Sequence, residues 1–146
     1  MNFLRKIVRY LTLNKEERIL FHQALHLLIA WKIRIVFLPM RKYVKFFGEK
    51  GKEATYEDVA MDDTINKFPL AIHRADSVLP WKSKCLTEAI ATKRLLERYN
   101  IKTTLFLGVA KDEDQKLIAH AWLRWGQRII SGAIGYQRFT IVEKFG

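Results

Sequence analysis

The stretch CLTEAIATKRLLERYN, Cys85 to Asn100, decides the fold, because a helix pattern there runs straight into strand patterns. Leu86, Ala89, Ile90 and Leu96 recur at helical spacing, and Asn100 suits a C-terminal stop. TTLFLGVA (103–110) then reads as a buried strand, and the polar run 111–116 as a turn. LIAHAWLR (117–124) reads as a second strand. Trp125-Gly126-Gln127 turns the chain into a third at Arg128 to Ser131, and Phe139 to Phe145 reads as an edge strand.

Upstream the pattern is helical. Phe3, Ile7 and Leu11 share one side of a short helix. Asn14 with Glu17 forms a capping-box pattern. It opens a second helix carrying Ile19, Leu20, Leu25, Leu27, Leu28, Trp31 and Ile35, which Pro39 should stop. Residues 40–52 are basic and glycine-punctuated, and 54–79 read as helix broken near Phe68-Pro69. Pro80 to Lys84 interrupts the pattern ahead of Cys85. Helices first and an antiparallel meander after make an α+β fold. Residues 1–52 form a basic helical region and 53–146 the part that carries chemistry, whether separate or as one compact unit.

The 146 residues are 49% hydrophobic, enough for one domain with a core. The single cysteine cannot form an intramolecular disulfide and suits a reducing compartment, so a cytoplasmic location is expected. MNFLRKIVRYL lacks the unbroken apolar segment and small-residue cleavage site of a signal peptide. Polar and charged residues interrupt Ile19 to Leu38, so no transmembrane helix is expected.

The formal charge of +11 is uneven. Residues 1–52 hold 12 Lys and Arg against 3 acids, residues 53–146 hold 14 against 12. Such asymmetry favours an anionic partner, and peripheral membrane contact by residues 1–47 is the expectation; the bland alternative is a solvated basic face. There is no glycine-rich phosphate loop, no paired Cys/His finger and no RNP-type aromatic pattern, so no nucleic-acid partner is expected. His22 and His26 lie four apart on one helix, but no Cys or acid nearby completes a metal set; they read as part of a packed helical face, and no metal or organic cofactor is expected.

Cys85 falls in the first turn of its helix. Free backbone N–H groups and the helix dipole favour a thiolate there, and Lys82 and Lys84 add positive charge. The same N–H groups suit a developing oxyanion. A lone cysteine is more often a small buried hydrophobe. His120 lies mid-strand, sharing a face with Ile118 and Trp122; alone it reads as a satisfied core histidine. Together, a helix-opening Cys and a His on the second strand beyond it are the parts of a thiol–imidazole pair.

Pro80-Trp81, Cys85-Leu86-Thr87-Glu88-Ala89, Leu95-Leu96, Thr104 to Val109 and Ala119-His120-Ala121-Trp122-Leu123 together resemble the transglutaminase-like superfamily, most of all its branch of lasso-peptide leader peptidases. The resemblance implies a papain-like helix packed on an antiparallel sheet, with Cys85 as nucleophile and His120 as general base. It implies hydrolysis of the leader–core bond of a ribosomally made precursor peptide, with a macrolactam-forming cyclase acting next. It resembles the stand-alone peptidase form, which implies a separate leader-binding recognition protein. Trp81 matches a tryptophan that donates to the oxyanion in some transglutaminases, though a core aromatic is the plainer reading. One departure stands out: the family's orienting aspartate has no counterpart in Arg128 to Gly132. Ser131 or a backbone carbonyl is left to hold the imidazole, with Asp76 a more distant candidate. Trp122 and Trp125 read as packing residues that would also suit the wall of an extended-peptide groove. An acyltransferase of the same fold, or a non-catalytic basic module for a membrane or partner, are the alternatives.

Overall fold

The computed structural model describes residues 2–54 and 63–146. Helix α1 spans Phe3–Leu11 and α2 spans Lys15–Phe37. The expected capping box opens α2: Asn14 Oδ1 accepts from the Glu17 N–H, and the Glu17 carboxylate accepts from the Asn14 N–H, both at 2.9 Å. The helix ends at Phe37, two residues ahead of Pro39. A short α3 (Met40–Tyr43) and a 3₁₀ turn follow.

The broken helix expected over 54–79 is in part outside the described residues. Where it is described, a 3₁₀ turn (Asp63–Asn66) leads into α4 (Lys67–Asp76). Phe68-Pro69 does not break this helix. It lies in the first turn, where proline's missing N–H would have had no intrahelical partner. Helix α5 is Cys85–Glu97, and Asn100 just beyond it adopts φ 59°, the left-handed conformation that ends helices.

Strands β1 (Thr104–Lys111), β2 (Leu117–Trp125), β3 (Arg128–Ser131) and β4 (Thr140–Phe145) form one antiparallel sheet in the order β3-β2-β1-β4. This differs from a simple meander. After β3 the chain crosses the sheet and pairs β4 with the free side of β1. The physical reason is that β1, with its first half buried, needs a ladder on both edges.

The sheet has two buried faces of different make. One carries Leu105, Ala121, Leu123 and Phe145 into a continuous core with α2, α4 and α5. Leu20, Phe21, Ala24, Leu27, Leu28 and Trp31 line the buried side of α2. Alpha-helical length and composition would let α2 cross a bilayer, but here those residues pack in the core, at about 1.5–3 kcal/mol for each large side chain. Phe47 and Phe145, ring centroids 5.4 Å apart, carry that core across residue 52. The other face carries Phe106, Gly108, His120 and Trp122. Crossing residues Tyr136 and Phe139 cover it: Tyr136 lies 5.7 Å from Trp122, and Phe139 4.9 Å from His120, between ring centroids.

Candidate active site

Cys85 is the first residue of α5, half-buried against the main core. Its cap residue, Lys84, contributes no side-chain hydrogen bond, so the first N–H groups of α5 are left for other acceptors. The loop before it is anchored from α4: Asp76 Oδ1 accepts the Ser83 N–H at 3.0 Å. Asp76 had been a candidate for the imidazole. It holds the approach to Cys85 instead, a role that sequence reading missed because a loop's backbone N–H leaves no mark in the residue pattern.

Two buried polar atoms in this approach have no partner among the described residues, Trp81 Nε1 and Ser83 Oγ. A buried donor without an acceptor costs roughly 1–3 kcal/mol, so such groups are retained where something else needs them. Trp81, the expected oxyanion donor, is half-buried four residues before Cys85 with its N–H uncommitted.

His120 is half-buried in β2. Its Nε2 lies 2.8 Å from the Gly132 carbonyl oxygen. A carbonyl can only accept, so Nε2 carries the proton. In the neutral ring, Nδ1 is then the unprotonated nitrogen, the one able to act as a base. Ser131 was the side chain expected to orient this ring; the hydrogen bond the structure gives His120 is to the next residue's main chain. Gly132 sits at φ +71°, and a Cβ there would collide with the Ala121 carbonyl oxygen and crowd Trp122. Only glycine reaches this position without strain.

The imidazole is also clamped by rings. Trp122 stacks 5.9 Å from it at 25°, and Phe106 stacks on Trp122 at 5.7 Å and 11°. Gly108 pairs opposite His120 on β1; a Cβ there would strike the Trp122 ring and the Phe139 side chain. Trp122 is 3% exposed, so it supports His120 from within and offers no open face to a peptide. Trp125, three residues on, points to the other side and packs against the main core. The structure thus brings Trp122 to His120 and separates Trp125 from it.

Among the described residues, neither Cys85 Sγ nor His120 Nδ1 has a hydrogen-bond partner. Cys85 leans on the core side of the sheet and His120 on the other. The β2–β3 ladder ends at Leu123–Ser131, so at His120 the β3 side of β2 carries no strand, and α5 packs on β2 and β3. Glu88, one turn into α5, has its carboxyl pKa raised, first by burial and then by Asp76, with His73 and Lys82 opposing.

His22 and His26 are engaged otherwise. His22 Nε2 bonds the Tyr10 hydroxyl at 2.8 Å, and His26 Nδ1 lies 2.9 Å from the His22 carbonyl oxygen. Among the described residues no cluster of three or more His, Cys, Asp or Glu has the makings of a metal site.

A family model described as the transglutaminase-like superfamily matches residues 27–144. No curated protein and no solved structure matches the chain.

Proposed function

This chain belongs to the transglutaminase-like superfamily, and on that premise we propose that it is a cysteine peptidase that removes the leader from a lasso-type precursor peptide, with Cys85 as nucleophile and His120 as acid/base. The observation that carries the reading is the imidazole: a proton fixed on Nε2 by Gly132 and a basic Nδ1 with no other partner.

In the proposed reaction Nδ1 takes the Cys85 proton and Sγ attacks the scissile carbonyl carbon. The backbone N–H groups opening α5, with the Trp81 indole N–H, receive the negative charge on the carbonyl oxygen. The C–N bond breaks as Nδ1 returns the proton to the leaving amine, the new N-terminus of the core peptide. Water then attacks the leader thioester, giving up a proton to Nδ1 and releasing the leader carboxylate and the thiol. A neutral carbonyl steadies the imidazolium less than an aspartate would, so Gly132 orients the ring but adds little charge stabilisation. The reaction requires His120 Nδ1 to reach Cys85 Sγ around the edge of β2 that carries no strand at His120, an approach that peptide binding would have to drive. The freed amine suits a macrolactam-forming cyclase, and a separate leader-binding protein would present the precursor.

Iodoacetamide labelling of the folded protein across pH tests the thiol. Rapid labelling well below the ordinary thiol pKa of about 8.5, displaced upward in His120→Ala, is expected. Incubation with a lasso precursor and its leader-binding protein, read by mass, tests the reaction: the wild type yields leader and core, and Cys85→Ala yields neither. Unchanged cleavage by Cys85→Ala would sink the proposal. Adding a primary amine divides the two chemistries of the fold, since an amine-capped leader in place of the free acid would mean acyl transfer.

A further inference from the structure

We propose that α1 is an interfacial anchor that lays its apolar stripe into an anionic lipid bilayer. The helix is placed the wrong way round for a soluble surface helix. Phe3, Leu4, Ile7, Val8 and Leu11 form one stripe along it, and all five are 40–76% exposed. None of its residues is buried. It is held to the body along the flank that carries Tyr10 and at its C-terminal end: the Tyr10 hydroxyl bonds His22, the Tyr10 ring packs 5.4 Å from Phe21, and Arg18 donates to the Leu11 carbonyl at 2.9 Å. The apolar side chains are thereby turned outward.

Charge selects the occupant. Arg5, Lys6 and Arg9 are the charged residues of α1, with no acid among them. Among the described residues none of the three has an ion-pair partner. Lys6 and Arg9 line a shallow cavity with Tyr10 and Phe21; Arg74, which also lines it, is paired with Glu17, so the unpaired positive charge here belongs to α1. An interfacial helix lies at headgroup depth, with its apolar side in the acyl chains and its cations among phosphates. A protein partner fits less well. Nine residues make a helix about 14 Å long, and a stripe of that length is far smaller than the ~800 Å² per partner of a stable protein interface. A bilayer needs no such area and no shape complementarity.

Flotation of the whole chain with vesicles tests this, using equal parts phosphatidylglycerol and phosphatidylcholine. The protein should float with these at low salt, stay behind at high salt, and stay behind with phosphatidylcholine alone. Leu4→Glu/Val8→Glu should abolish flotation while leaving the urea unfolding midpoint in place, since neither side chain is buried. Arg5→Gln/Lys6→Gln/Arg9→Gln should weaken partitioning about fivefold per cation removed. Failure of the wild type to float at low salt would overturn the proposal, as would flotation unchanged in Leu4→Glu/Val8→Glu. A dimer in sedimentation velocity that this double variant dissolves would overturn it too, by giving the stripe to a second copy.

Discussion

Helices α1 and α5 look alike as sequence and differ as structure. Each has apolar residues at helical spacing and basic residues between them. Yet α1 buries none of its nine residues, and α5 buries eight of thirteen, Lys93 among them. Periodicity tells which side chains share a face; it does not tell what that face meets. Helix α5 is flanked by strands that need covering, and its apolar face is taken up by them. Helix α1 lies at the far end of α2, where the core is already closed by Phe21 and Leu13, and its stripe stays outside. One helix therefore carries stability and, in the proposed reaction, the nucleophile, while the other is free to serve a surface.

The largest test of this contrast is a pair of matched truncations. Leu96→Ala in α5 removes a fully buried side chain and should cost about 2–5 kcal/mol in urea unfolding. Leu11→Ala in α1, with the same atoms deleted from a side chain 62% exposed, should stay within about 0.5 kcal/mol. Equal losses would mean that α1 is packed in solution and would break the comparison.

A second test sharpens it within the sheet. Gly132→Ala forces a Cβ at a positive φ into the Ala121 carbonyl, so it should cost roughly 1–3 kcal/mol of stability. It should also move the carbonyl that holds His120. A variant that kept its fold but lost the pH dependence of Cys85 labelling would identify Gly132 as a positioning residue. Ser131→Ala, in contrast, should leave that profile alone, because the bond runs to a main-chain oxygen one residue on.

These cases mark what was legible in the sequence. The helix opened by Cys85, the three strands around His120, the capping box at Asn14 and the α+β class were all legible, since each is written in local spacing or in a short-range hydrogen bond. The strand order was not. Whether the chain after Ser131 returns beside β3 or crosses to β1 is a choice among edges, settled by non-local burial. That crossing is also what brings Gly132 and Phe139 to His120. Trp122 and Trp125 illustrate the same limit at single-residue scale: three positions apart on a strand, they face opposite ways, so a shared groove was never available to both. The missing aspartate was visible as an absence, but its substitute is a carbonyl, which every residue owns.

The smallest expected effect concerns charge at the start of α5. Glu88 stands where the helix dipole would favour an anion, yet its carboxyl pKa is raised, so burial and the neighbouring Asp76 outweigh the dipole, His73 and Lys82. A carboxyl raised in the folded state binds its proton more tightly there than in the unfolded chain. The folded state therefore loses stability as pH climbs from near the ordinary 4.5 through the raised value, and the cost is fully present above it. Glu88→Gln should remove that slope and gain a few tenths of a kcal/mol at pH 7, the group being close to half solvated and so partly screened. Urea unfolding of both proteins at pH 4.5 and 7 reads the difference directly. A variant less stable than wild type at pH 7 would mean that the dipole wins, and that the mouth of α5 holds negative charge comfortably. That outcome would weaken the case for a thiolate at Cys85, because an anion already settled beside the helix start opposes a second one.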